Sequence, residues 1–173
     1  IWILDNVSAL HQVSPQTRLA ETHLFAPRDG YRTSTAAQLL GPNIDYYLPT
    51  PASGTVTVDI LDQAGSVVNS YSSDARPGGR GRGGGGGRGG SGFGRRGGVP
   101  PPSVTSKAGF NRMVWNVRDA DGLPVPPGPY QARLNVRGES QTQRFNVLID
   151  PRIEAGGVTV ADLREQYEHN KKM

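Results

Sequence analysis

Thr55-Val56-Thr57-Val58-Asp59-Ile60-Leu61, followed by Asp62-Gln63-Ala64-Gly65, is the stretch on which the fold turns. Val56, Val58 and Ile60 fall on one face of a strand, and Thr55, Thr57 and Asp59 on the other. Alternation of that kind belongs to an antiparallel sheet with one wetted face. Asp62 and Gly65 suit the first and last positions of a β-turn, so Val67–Tyr71 should return as the hairpin partner.

The same period recurs on both sides. Upstream, Ile44–Leu48 is a strand stopped by Pro49 and Pro51. Downstream, Asn111–Val117 places Met113, Trp115 and Val117 together. Asp119-Ala120-Asp121-Gly122 then turns the chain, and Pro124, Pro126, Pro127 and Gly128 exclude a strand there. Tyr130, Ala132, Leu134 and Val136 oppose Gln131, Arg133, Asn135 and Arg137. After a turn at Gly138-Glu139, Phe145, Val147 and Ile149 line the last strand. Six strands, with a seventh expected around Val104, at this spacing predict an all-β sandwich. Val58, Ile60, Trp115, Tyr130, Leu134 and Phe145 are its expected core, and Trp115 and Tyr130 read as core before they read as a carbohydrate platform.

Outside the sandwich the pattern fades. Val7–Leu40 has no sustained period and reads as a connector over a neighbouring domain, since long structureless loops are uncommon inside compact domains. Beyond Gly156-Gly157, Thr159 is an expected N-cap with Asp162 three residues on. Val160, Leu163 and Tyr167 form one narrow apolar stripe of a terminal helix. A lone helix of that length is marginal in water and must dock on something. The expected organisation is a connector over 1–42, the sandwich over 43–150, and a helical tail over 151–173.

Composition is dominated by one insertion. The chain has 173 residues and a formal net charge of +4, but residues 76–98 hold 14 of its 24 glycines and six arginines without an acid. The remaining residues carry a net charge of −2, so the globular part is slightly acidic. Arg82-Gly83-Gly84, Arg88-Gly89-Gly90 and Arg96-Gly97-Gly98, around the single aromatic Phe93, are similar to RNA-binding RGG tracts. Arg80, Arg82, Arg88, Arg95 and Arg96 are the candidate polyanion-binding residues, and such binding would fall steeply with salt. Against this, the insertion (76–103) interrupts a sandwich between two strands. Loop-closure cost rises only by about 0.6 kcal/mol per doubling of length, so a disordered, functionless loop is tolerated, and nucleic acid is not the expected partner.

Other chemistry finds no constellation. The chain has no cysteine, which excludes disulfides, thiolate metal sites and cysteine nucleophiles. His11, His23 and His169 form no ligand pair, and no Gly-x-Ser-x-Gly elbow is present. Asp119, Asp121 and Gly122 resemble the start of a calcium loop, but Tyr130 stands where its closing Glu would be; a turn explains them. Asp45, Asp59 and Asp62 could be offered as a glycosidase carboxylate pair, yet Asp59 alternates onto the wet face and should be solvated. No enzymatic activity and no cofactor are expected of this chain.

Three blocks carry a family resemblance: Val56–Gly65 with Val67-Val68; Ala108-Gly109-Phe110-Asn111 leading into Val114-Trp115-Asn116; and Arg118–Gly122 with Val125-Pro126-Pro127-Gly128-Pro129-Tyr130. Together they resemble the immunoglobulin-like domain of the flagellar hook-capping protein (FlgD type), a module found at the C-terminus of many exported bacterial proteins. Asn116 and Pro129 depart from that pattern, which usually has Asp and Thr. Ile1–Asn6 with Leu10, then His23–Asp29 and Tyr31-Arg32, is similar to the exit from the β-propeller of bacterial sortilin-like proteins, often described as BNR-repeat glycosyl hydrolases. That likeness implies that Ile1–Leu4 is a last propeller strand and that the partner is an upstream propeller of the same exported polypeptide. It also implies that any hydrolase activity would lie upstream, because no Asp-box repeat occurs here.

Overall fold

The computed structural model describes residues 8–13, 21–33, 41–74 and 102–173. Ile1–Leu4 and the arginines at 80, 82, 88, 95 and 96 lie outside the described residues, as does most of the glycine-rich insertion.

Among the described residues the chain is mostly β, arranged as two facing sheets with short C-terminal helices. Its strands are β1 (His23–Leu24), β2 (Gly30–Arg32), β3 (Asn43–Leu48), β4 (Val56–Leu61), β5 (Val67–Ser72), β6 (Gly109–Val114), β7 (Gly128–Val136) and β8 (Glu139–Ile149). Helices are α1 (Ser8–His11), α2 (Pro151–Ala155) and α3 (Val160–Lys171). One sheet runs β1-β3-β6 and the other β2-β8-β7-β4-β5. The side chains between them close a single core: Leu24, Ile44, Tyr46, Leu48, Met113 and Trp115 from the first sheet and its extension, Val56, Val58, Ile60, Tyr130, Ala132, Leu134 and Phe145 from the second.

Turn chemistry sets the registers. The β4–β5 hairpin closes at Asp62–Ser66, where the Asp62 carboxylate accepts from the Ser66 amide at 2.8 Å and Gly65 takes φ +84°. Arg137 and Gly138 both have positive φ, 52° and 86°, the pattern of a two-residue type I′ turn whose twist matches its strands. That turn pairs Val136 with Glu139 and carries β7–β8 through to Gly128↔Val147. The last strand therefore begins at Glu139, well before Phe145, and β7 begins at Gly128.

Three expectations need revision. The connector is part of the sandwich: β1 pairs antiparallel with β3, and β2 pairs in parallel with β8. Strands this short have no alternation to read. No strand forms around Val104; that residue is buried, and Thr105 is stitched to β3 by the Tyr46 hydroxyl, which donates to its carbonyl at 2.6 Å and accepts from its amide at 2.9 Å. Asp59 is not solvated. It is only 8 % exposed, because Arg133, Asn135 and Ser70 from the flanking strands close over it.

The terminal helix docks on the sandwich. Thr159 and Asp162 complete a reciprocal capping box, and Leu163 is buried while Tyr167 packs against the core. Val160 of the expected stripe stays 38 % exposed. A separate turn of helix, α2, precedes it, capped by the Asp150 carboxylate accepting from Arg152.

Candidate functional site

The outer face of the three-stranded sheet presents a cluster of aromatic side chains. Alternation along β3 sends Ile44, Tyr46 and Leu48 inward and Asp45 and Tyr47 outward; β6 sends Phe110 and Arg112 outward beside them. The register places Tyr47 opposite Phe110 and Asp45 opposite Arg112, and His23 opposite Tyr47. One row across the sheet is therefore His23, Tyr47 and Phe110. Phe110 stacks on Phe25 at 5.4 Å and meets Tyr47 edge-on at 5.4 Å, and His23 meets Phe25 edge-on at 4.8 Å. Phe25 is buried beneath this strip, whereas Phe110 remains 48 % exposed. The connector is fastened here by the Phe25 amide, which donates to the Asp45 carbonyl at 3.0 Å. Gln12 adds a two-way amide bond with Ala26 at 2.8 and 2.9 Å.

The carboxylates offered as a catalytic pair are separate and each engaged. Asp45 takes a forked ion pair from Arg112, Nε at 2.6 Å and Nη2 at 2.9 Å. This bond holds the Arg112 guanidinium above its ordinary value. Asp59 lies on the other sheet, accepting from Ser70 at 2.6 Å and from Arg133 Nη2 and Asn135 at 2.9 Å each. Burial pushes its carboxyl up, but the bonds from Ser70, Arg133 and Asn135 bring it below the ordinary range. Asp62 serves the β4–β5 turn. Carboxylates neutralised in this way hold strands together.

Asp119 was readable only as a turn residue, and it has a second role. One of its oxygens accepts from the Asp121 and Leu123 amides at 3.1 and 2.8 Å, closing the turn. The other accepts from the Tyr167 hydroxyl at 2.9 Å and so fastens α3. Sequence spacing could not show this contact, which spans 48 residues. Trp115 is fully buried, its indole N–H donating to the Arg118 carbonyl at 3.1 Å and its ring meeting Tyr130 and Phe145 edge-on. Tyr130 is also buried and donates to the Pro126 carbonyl at 2.8 Å. Neither ring is placed to stack on a sugar. Val58, Ile60, Leu134 and Phe145 are buried with them.

Burial also sets an alkaline limit. Tyr46, Tyr71, Tyr130 and Tyr167 are all pushed above the ordinary phenol value, burial being the largest cause in each. The Asp119 carboxylate adds to the shift at Tyr167. Folded-state values above the unfolded value of about 10 give a stability contribution that is complete below about pH 10. It is lost as pH rises through the folded values, because only the unfolded chain releases those protons. Stability is expected to fall steadily above about pH 10, with phenolate absorbance from these four rings rising together with loss of β-sheet circular dichroism. Phenolate signal from all the tyrosines preceding unfolding would contradict this.

Among the described residues no helix is long and apolar enough to cross a membrane, and no group of three or more His, Asp or Glu side chains stands together as a metal site requires. No known family description and no curated protein matches the sequence. A matching chain of solved structure comes from work on PorZ, described as an essential bacterial surface component of the type-IX secretion system of Porphyromonas gingivalis. It is 19 % identical with a TM-score of 0.32, the match covering 84 % of this chain and 12 % of that one.

Proposed function

We propose that this chain is a non-catalytic accessory module of an exported bacterial polypeptide: an immunoglobulin-like sandwich of the hook-capping type that packs against a preceding β-propeller and steadies or presents it. The observation that carries the reading is the aromatic strip of His23, Tyr47 and Phe110, in which Phe110 is 48 % exposed and the other two are partly buried. It is built jointly by the sandwich and by the connector arriving from the N-terminal side. Large aromatic side chains on a rigid sheet are the residues that dominate interface energetics. The order of the sequence blocks supports the same family reading, and the paired carboxylates support a structural use of the acids.

The test is association in trans. A fragment comprising the polypeptide upstream of Ile1 is titrated with the 173-residue chain and followed by calorimetry. Phe110→Lys, which places a charge at an exposed position, is expected to leave the circular dichroism unchanged and to weaken binding at least about thirtyfold, the loss of a roughly 2 kcal/mol anchor. No association, or equal association by the variant, overturns the reading. A polyanion-binding role rests only on the Gly/Arg composition of residues 76–98 and would show as RNA binding with a steep salt dependence.

A further inference from the structure

Where α3 covers one end of the sandwich, a cavity of about 290 Å³ opens between Arg32 at the end of β2, Arg118 and the helix. Ile153 and Leu163 form apolar wall, and Gln166 and Asn170 supply amide groups. Among the described residues no Asp or Glu lines it. Both ion pairs found among the described residues lie elsewhere, at Asp45–Arg112 and Asp59–Arg133. Two guanidinium groups thus share one cavity without a carboxylate.

Arg32 is the more telling of the two. Its Nη2 donates to Gln166 Oε1 at 3.2 Å, but its Nη1 is buried without a hydrogen-bond partner. Native proteins leave few buried polar atoms unpaired, and an unpaired donor on a cation is the most costly kind. Burial lowers its affinity for its proton, Tyr130 partly offsets this, and Arg118 adds a smaller repulsion; an anion would relieve the burial and the repulsion. Arg118 donates Nη1 to the Gly122 carbonyl at 2.6 Å, and its side chain is exposed. A guanidinium presents paired donors in a plane, which suits a carboxylate. The apolar wall suits a short hydrocarbon body. At about 30 Å³ for each water-sized unit, the cavity has room for roughly ten non-hydrogen atoms.

We propose that this cavity binds a small organic carboxylate of about the size of succinate, held by Arg32 and Arg118 with Gln166 and Asn170 alongside. The site is independent of the aromatic strip and would stand if that surface proved to bind nothing. The experiment is calorimetric titration of the full 173-residue chain with sodium succinate, against sodium phosphate and sodium chloride at matched ionic strength. Succinate is expected to saturate a single site. Arg32→Gln and Arg118→Gln should each weaken it about tenfold or more, the loss of a charge-assisted hydrogen bond. Circular dichroism checks each variant; Arg118 is exposed, so its substitution reports on binding even if Arg32→Gln disturbs β2. Heats indistinguishable from chloride overturn the proposal. So does phosphate binding more tightly than succinate, or Arg118→Gln binding succinate as the parent chain does. An acidic peptide bound where succinate is not would also overturn it, by assigning the cavity to a macromolecule.

Discussion

Replacing Trp115 with alanine is expected to remove about 3–5 kcal/mol of stability, the range for deleting a large aromatic from a close-packed core. Three losses converge there. The ring is fully buried and touches Tyr130 and Phe145, both edge-on, at 5.4 and 6.0 Å, contacts worth about 0.5–1.5 kcal/mol beyond area. Loss of its N–H takes away one of the two donors of the Arg118 carbonyl, which keeps Asn69 Nδ2 at 3.1 Å. The void lies between the two sheets, where the framework of strands can collapse only in part. Domains of this class have about 5–15 kcal/mol to lose, so the variant should be marginal at room temperature. Urea denaturation measures the effect, and a loss below about 1 kcal/mol would mean that the core repacks freely.

Gly41→Ala is the second large effect, and its cause is space. A Cβ at Gly41 would stand 1.8 Å from the Trp115 carbonyl oxygen and 3.0 Å from its carbon. These are backbone atoms that cannot swing aside. The neighbouring Pro42 carbonyl accepts from the Trp115 amide at 3.1 Å, so displacing residue 41 also displaces the segment that positions the indole. A cost of about 3 kcal/mol, the upper part of the range for overpacking, is expected. Gly54 is the internal control: a Cβ there meets nothing within 4 Å, and its alanine variant should be neutral or slightly stabilising. If thermal melts show the two variants alike, the close approach at Gly41 is not what the geometry indicates.

Reading from sequence succeeded where alternation ran long enough to declare a face. Val56–Leu61 and Tyr130–Val136 are such runs, and they face each other in one sheet through Val58↔Leu134. It failed where the local signal was short or the decisive partner distant. His23–Leu24 and Gly30–Arg32 are too brief to show a period, yet they complete the edges of two sheets. Asp59 was placed correctly on the outward face; that Arg133, 74 residues away, would cover it is a fact of pairing register. The turn at Asp119 was legible, its grip on Tyr167 was not. The cavity at Arg32 and Arg118 joins residues from three separate parts of the chain, and no spacing rule reaches that far.

The parallel pairing of β2 with β8 has a mechanical consequence. Gly30, Tyr31 and Arg32 lie beside Val147, Leu148 and Ile149 in the same direction. A pull on the chain before β2 and an opposite pull after β8 would therefore slide the two strands lengthwise past each other. Every hydrogen bond between them bears that load at once, whereas an antiparallel hairpin pulled from its open end yields one bond at a time. A module joined to its neighbour through the connector would resist tension as a lap joint does.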